Sequence, residues 1–111
     1  MGRQIGWRTI LALAVVYREP RQLKVDYSGW MPVVFRYQGF RFFFYSNEGN
    51  PREPVHIHVE RAEIEAKFWL LPSVHVSYND GYSARTLREL LKLVEANSER
   101  IVRAWNDHFR D

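Results

Sequence analysis

Two histidines in the segment His56-Ile57-His58-Val59-Glu60 are the residues of this chain that most directly suggest chemistry. Side chains alternate along a β-strand, so His56, His58 and Glu60 would share one face. The valine and isoleucine side chains would then face the core. Imidazole titrates near neutral pH and is a common metal ligand, so a pair on one face indicates acid–base chemistry or a metal site.

A two-residue turn at Arg61-Ala62 would pair this strand with the next one and bring carboxylates opposite the histidines. The opposed pairs of the outer face would be His56 with Lys67, His58 with Glu65, and Glu60 with Glu63. The sequence therefore predicts that His56, His58 and Glu65 form one polar cluster on an exposed face of the sheet. These three are the candidate catalytic residues.

Three interpretations of this histidine face stay open at the level of sequence. It is a solvated surface, a site for metal-free acid–base or polar-ligand chemistry, or a metal site in which carboxylates complete the ligands of zinc, iron or manganese. No cofactor is predicted, and no residue is assigned to a metal. The other histidines, His75 and His108, stand apart and are predicted to be structural or surface residues, because isolated histidines do not make a site.

Arg36, Arg41 and Tyr45 form a second candidate site, which would bind a ligand. Arg36 and Arg41 stand among aromatic residues on two adjacent predicted strands. Guanidinium groups make planar pairs with anionic groups and stack on rings, so the ligand would be a phosphate, a carboxylate or a nucleotide. The alternative is that the arginines form ion pairs with Glu48, Glu53 or a helix carboxylate.

The segments that would position these residues indicate short strands followed by helices. Apolar runs, with a tight turn at Gln38-Gly39, predict strands over the ranges 33–37, 40–46, 55–60, 63–71 and 74–78. Ser83 predicts a helix N-cap, and apolar residues then recur at helical spacing. Asn97 and Ser98 interrupt that stripe, which predicts a break with Ser98 as the second cap. We therefore expect an α+β protein, with an antiparallel sheet of about four to five strands, two hairpins plus a short strand, covered by a C-terminal helical pair.

Composition limits both the size and the setting of the protein. The chain has 111 residues, which is room for one domain, and its 46% hydrophobic content is enough for it to fold. There is no cysteine, so disulfides and thiolate zinc sites are excluded and a reducing compartment, the cytoplasm, is predicted. A domain this small buries a modest core, which favours a homodimer or a protein partner.

Basic charge is concentrated at the amino terminus. Residues 1–30 hold five basic and two acidic groups, residues 31–82 five and six, and residues 83–111 six and five. The near-neutral remainder does not indicate a nucleic-acid partner. The apolar run from Ile10 to Val16 is too short to cross a bilayer, and no membrane association is expected. We predict that residues 1–30 are an extension outside the folding unit and that residues 31–111 form a single domain that folds alone.

Several segments together resemble a known bacterial family. The segments are Met31 to Tyr37, Phe40 to Gly49, Pro54 to Val59, Ala66-Lys67-Phe68, Leu87-Arg88-Glu89-Leu90, and Ala104 to Phe109. Over residues 31–111 the chain is similar to the family catalogued as domain of unknown function 4160. Residues 1–30 are not covered by the resemblance.

The resemblance implies a small cytoplasmic component of a toxin–antitoxin-like gene pair. The expected partner is a protein that resembles domain of unknown function 2442 and is encoded nearby. The family offers no set of catalytic residues, so whether the chain is an enzyme stays open. The leading hypothesis is such an interaction module with ribonuclease-like acid–base activity. The alternatives are a partner-binding or regulatory domain without catalysis and a metal-binding protein that uses the His-x-His strand.

Overall fold

Five antiparallel strands lie side by side in the same order in which they follow one another along the chain, β1-β2-β3-β4-β5, and two helices come after them. The computed structural model describes residues 32–49 and 51–109, so the predictions for residues 1–30 lie outside the described residues. The elements are β1 Val33–Tyr37, β2 Phe40–Phe43, a 3-10 helix Ser46–Glu48, β3 His56–Arg61, β4 Ile64–Trp69, β5 His75–Asn79, α1 Ala84–Ala96 and α2 Ser98–His108. The α+β prediction is confirmed.

The turn between β1 and β2 forms where the sequence predicts it. Gln38 and Gly39 both have positive φ angles, 50° and 85°, which is the backbone conformation of a two-residue hairpin turn. Glycine adopts this conformation without strain. The turn therefore lies at the predicted residues, with Tyr37 opposite Phe40.

The turn between β3 and β4 lies one residue later than predicted. Ala62 and Glu63 occupy it, with φ angles of 53° and 68°, and the Glu63 backbone N–H donates to the Glu60 carboxylate at 3.0 Å. Arg61 stays in the strand because its guanidinium group lies 3.8 Å above the ring of Phe40. The favourable side-chain contacts on both sides of the turn outweigh the unfavourable φ of two non-glycine residues.

This displacement of the turn shifts the register of the hairpin by two residues. The observed pairs are His56 with Trp69, His58 with Lys67, and Glu60 with Glu65. The predicted pairs were therefore wrong, although each residue keeps its predicted face because the shift is even. Glu65 lies diagonally across from His58 instead of directly opposite it.

The second strand is shorter than predicted because the chain leaves the sheet after Phe43. Phe44 packs against Trp105 of α2 with ring centroids 5.2 Å apart, and the 3-10 helix follows. A Cβ atom on Gly49 would fall on the ring of Phe109, 2.7 Å from Cε1. Only glycine allows this close approach between the loop and the end of α2.

The helices form as predicted, with one difference at the second cap. The Ser83 hydroxyl accepts a hydrogen bond from the Thr86 backbone at 3.1 Å and begins α1. The break falls at Asn97, which precedes Ser98 and is itself the N-cap residue of α2. Asn97 is buried and its side chain donates to the Leu93 carbonyl oxygen at 2.8 Å, which explains why a polar residue interrupts the apolar stripe.

The helical pair contributes to one hydrophobic core with the sheet. Central strand residues and the inner sides of the helices supply its fully buried members, among them Phe42, Ile57, Val59, Phe68, Leu90, Val94 and Ile101. In the described part of the chain, no helix is long and apolar enough to cross a membrane. The core fixes β3 and β4, the two strands that carry the predicted histidine cluster.

Candidate functional site

The histidine face of β3 is buried, which corrects the prediction of an exposed surface. His56 is 0% exposed and His58 is 3% exposed. The ring of Trp105 lies 4.8 Å from that of His56, and the ring of Tyr45 lies 4.7 Å from that of His58. The sequence pattern assigned only the Val55, Ile57 and Val59 side to the core, but α2 and the loop after β2 cover the other side as well.

Glu48 is the central residue of this face, and the sequence analysis did not include it in the histidine cluster. Its Oε1 lies 2.9 Å from Nε2 of His56 and its Oε2 lies 2.7 Å from Nε2 of His58. The 3-10 helix holds the side chain in place, and the Tyr45 backbone N–H donates to Oε1 at 2.9 Å. A carboxylate in a glycine- and proline-rich loop close to a His-x-His strand is the signal that would have indicated it.

Glu65 joins the same cluster from the opposite side of His58. Its Oε2 lies 2.8 Å from Nδ1 of His58, and the Tyr78 hydroxyl donates to the same oxygen at 2.6 Å. The Tyr45 hydroxyl donates to Oε1 at 3.1 Å. The structure therefore brings the predicted residues His56, His58 and Glu65 together. The polar centre, as named from here on, consists of Tyr45, Glu48, His56, His58, Glu65 and Tyr78.

The charges of the polar centre follow from its hydrogen bonds. Burial alone would raise the pKa of Glu48, but hydrogen bonds from His56 and His58 outweigh it and lower this pKa from 4.5 to about 2. Burial and the neighbouring Glu65 carboxylate raise the pKa of Tyr45 to about 12, and the same two causes raise the pKa of Tyr78. Glu48 is therefore an anion at neutral pH, and both tyrosines are neutral hydrogen-bond donors.

The hydrogen bonds also determine the tautomer of His56. Its Nδ1 lies 2.8 Å from the carbonyl oxygen of Pro54, which can only accept, so Nδ1 carries a proton. Its Nε2 faces Oε1 of Glu48 at 2.9 Å. Glu48, His56 and His58 each offer one buried ligand atom, and these atoms lie within 4.8 Å of one another.

The structure places Arg36 and Arg41 of the second candidate site opposite each other and Tyr45 in the polar centre. Arg36 is exposed on β1, opposite Arg41. Arg41 donates from Nε to Glu60 at 3.1 Å, so it forms an ion pair, but with a different carboxylate from those considered in the sequence analysis. Tyr45 belongs to the polar centre and not to the arginine pair. Arg41 and Tyr45 both contact the ring of Phe43. Ligand binding by Arg36, Arg41 and Tyr45 stays a prediction.

The two isolated histidines lie apart from the polar centre. His75 is exposed on β5, and its Nδ1 lies 2.7 Å from the carbonyl oxygen of Ser73. His108 is half-buried against the ring of Phe44 at 5.8 Å, and burial lowers its pKa. Neither one contributes a ligand atom to the polar centre.

Exposed hydrophobic side chains form a second notable surface. Within the described ranges, the large hydrophobic residues that stay exposed are Leu71 (61%), Val76 (37%) and Tyr78 (38%), which all lie on β5 or the turn before it. Beside them a groove of about 620 Å³ runs between residues 70–74 and α2. We call these residues and the outer side of β5 the β5 edge.

Comparison with known proteins gives one finding. The sequence model of the family described as Domain of unknown function (DUF4160) matches residues 39–106. This match includes all of the residues of the polar centre and the β5 edge. Neither the curated proteins nor the solved structures contain a match to the chain.

Proposed function

We propose that this chain, which belongs to the family described as Domain of unknown function (DUF4160), is one member of a toxin–antitoxin-type pair of bacterial cytoplasmic proteins and acts by binding its partner protein. The observation that supports this proposal is the β5 edge. Single exposed hydrophobic residues are ordinary on a protein surface, but a contiguous group indicates an interaction site. Leu71, Val76 and Tyr78 are concentrated on β5 and the turn before it.

The partner would bind by adding a strand to the sheet. β5 is the last strand of the order β1-β2-β3-β4-β5, and in the described ranges no strand pairs with its outer side. An edge strand presents unpaired backbone groups that an extended peptide can join, and its side chains then provide specificity. The expected partner segment is therefore extended, weakly charged and apolar at alternate positions.

The groove beside β5 would supply an anchoring position for that segment. Leu70, Leu71 and Val74 line one wall, and Val102 and Arg103 of α2 line the other. Leu71 belongs both to the groove and to the exposed hydrophobic residues, so the groove adjoins the β5 edge at this residue. An apolar side chain of the partner fits the volume of about 620 Å³.

Val76→Lys is expected to abolish capture of the partner in co-purification. The change places a charge on an edge strand, which disfavours the addition of another strand, and it removes one apolar contact. The chain and the protein encoded beside it are co-expressed with an affinity tag on one of them, and the amount of the second protein recovered is measured. We expect at least about a tenfold loss, which corresponds to about 1.4 kcal/mol.

Ala96→Lys is the matched control, because it adds the same charge at an exposed position at the end of α1, where a cation suits the helix dipole. This variant should retain the partner. Growth of a bacterial host under strong expression of this chain, with and without the neighbouring gene, tests whether the two proteins form a toxin–antitoxin pair. Unimpaired growth in every combination, together with no recovered complex, would contradict the proposed function.

The ribonuclease-like activity stays a prediction. His56 and His58 are buried, so a substrate would first meet Glu65 and Tyr78, which lie at the more exposed side of the polar centre. Glu65 already accepts hydrogen bonds from two tyrosines and lies beside His58, so a substrate would have to compete with these partners for its carboxylate. Partner binding at the β5 edge does not depend on this activity.

A further inference from the structure

Three buried ligand atoms converge at the middle of the polar centre. Nε2 of His56 and Nε2 of His58 both point at the carboxylate of Glu48, at 2.9 Å and 2.7 Å. Each of the three residues is at most 9% exposed. One ligand atom from each residue lies within 4.8 Å of the other two, so small movements of the side chains would bring all three to the distances of ligands around a single ion.

The outer nitrogens of both rings are already occupied, which leaves the two Nε2 atoms as the ligand atoms. Nδ1 of His56 donates to the Pro54 carbonyl oxygen at 2.8 Å. Nδ1 of His58 lies 2.8 Å from the Glu65 carboxylate. A metal ion that enters between the Nε2 atoms and Glu48 takes the place of any proton held there, because metal ligands must be deprotonated.

The outer contacts of both histidines match those of metal ligands. A histidine that binds a metal usually donates its other ring N–H to a carboxylate or to a backbone carbonyl, which fixes the orientation of the ring. Here His58 has a carboxylate, Glu65, and His56 has a carbonyl, that of Pro54. Glu65 is held in turn by the Tyr45 and Tyr78 hydroxyl groups. Both His56 and His58 therefore already have the outer hydrogen-bond partner that a metal-binding histidine usually has.

From this geometry we infer that Glu48, His56 and His58 bind a divalent transition-metal ion, through one carboxylate oxygen and the Nε2 atoms of both rings. Two nitrogens and one oxygen are the ligand types that suit zinc and also iron and manganese. Tetrahedral zinc separates its ligand atoms by about 3.3 Å, so the distances from Glu48 to His56 and His58, 2.9 Å and 2.7 Å, would lengthen by about half an ångström when the ion enters. The loop position of Glu48 in a short 3-10 helix permits this movement.

This inference is independent of the partner proposed above. The polar centre touches the β5 edge through Tyr78, but Leu71 and Val76 make no contribution to the metal ligands. Loss of partner binding in Val76→Lys therefore leaves metal binding unchanged. A failure of one proposal can be distinguished from a failure of the other.

Metal binding is measured on the complete chain, with any polyhistidine tag removed and the protein freed of metal by a chelator. Zinc is titrated by calorimetry, and cobalt(II) serves as a spectroscopic probe whose visible absorption reports nitrogen and oxygen ligands. We expect binding of one ion per chain and a rise in the melting temperature with zinc. His56→Gln and Glu48→Gln should each weaken the affinity at least about 100-fold, and Glu65→Gln, which alters only an outer contact, about 10- to 100-fold.

His75→Gln is the matched control, because His75 also contacts a backbone carbonyl through Nδ1 but lies outside the polar centre. It should bind zinc as the unmodified chain does. A second test uses the unmodified chain with zinc, so it does not depend on the folding of any variant. NMR of the imidazole nitrogens should show two histidines with Nε2 bound to metal and Nδ1 protonated. An unmodified chain that binds neither zinc nor cobalt, or equal binding in the His56 and His75 variants, would overturn the inference.

Discussion

Replacing Glu48 with alanine is expected to lower the free energy of unfolding by about 3 to 5 kcal/mol, which is the usual cost of removing one partner from a buried charged pair. Glu48 is 9% exposed and faces the rings of His56 and His58. Without it, both Nε2 atoms lose their neighbour in a place that water does not reach. The measurement is urea denaturation followed by circular dichroism, with a chelator present so that metal does not contribute.

Glu53→Ala is the control for this prediction. Glu53 belongs to the same loop and lies 3.9 Å from His56, but its side chain is 42% exposed. Water replaces an exposed carboxylate, so the expected change is within about 0.5 kcal/mol. Equal losses in Glu48→Ala and Glu53→Ala would mean that the loop, and not the buried carboxylate, is responsible.

The pH dependence of stability gives a second check on Glu48. Its pKa is lowered from 4.5 to about 2 in the folded protein, mainly because hydrogen bonds from His56 and His58 outweigh the effect of burial. The stability from this shift is therefore fully present above pH 4.5 and is lost as the pH falls through about 2. The unmodified chain should lose stability more steeply than Glu48→Ala over this range. Parallel curves would contradict the assignment.

Trp105→Ala is expected to be comparably damaging, at about 3 to 5 kcal/mol. Trp105 is 2% exposed, and its ring lies 5.2 Å from that of Phe44 and 4.8 Å from that of His56. Removal of the indole leaves a cavity between α2 and the sheet, and it also opens the polar centre. A small domain has about 5 to 15 kcal/mol of stability in total, so a substantial unfolded fraction is expected.

Circular dichroism during urea denaturation measures this effect without relying on the fluorescence of the residue removed. Leu71→Ala is the control, because Leu71 is also a large hydrophobic residue but is 61% exposed. Its loss should change the stability by less than about 0.5 kcal/mol. A Trp105→Ala chain as stable as Leu71→Ala would show that α2 does not hold the histidine face closed.

The order of the elements could be predicted from the sequence because local patterns determine it. The first hairpin has a glycine in its turn, and Ser83 is a cap of the expected kind, so both were predicted correctly. The second turn was misplaced by one residue because Ala62 and Glu63 have no turn propensity of their own. Contacts between Arg61 and Phe40, on a different strand, decide its position, and a local pattern does not contain them.

Three members of the candidate site, His56, His58 and Glu65, were predicted from the sequence, but its central carboxylate and its burial were not. The period of a strand places His56 and His58 on one face, and Glu65 is indeed next to His58. The alternation of side chains along a strand does not show which face of the sheet is covered by other parts of the chain. Burial of this face depends on Trp105, almost 50 residues further along the chain, and on Glu48, whose approach requires a loop to fold back. Both are long-range effects that a single sequence does not reveal.

The simple order of the sheet, in which every strand pairs with its neighbours along the chain, has a consequence for kinetics. Short connections make loop closure inexpensive in entropy, so the strands can assemble rapidly, one hairpin after another. The polar centre is different, because it closes only after the loop of Glu48, strands β3 to β5 and the last helix have met. Contacts that form late have little influence on the folding rate but slow unfolding. We therefore expect the contacts of the polar centre to slow unfolding more than they change the folding rate.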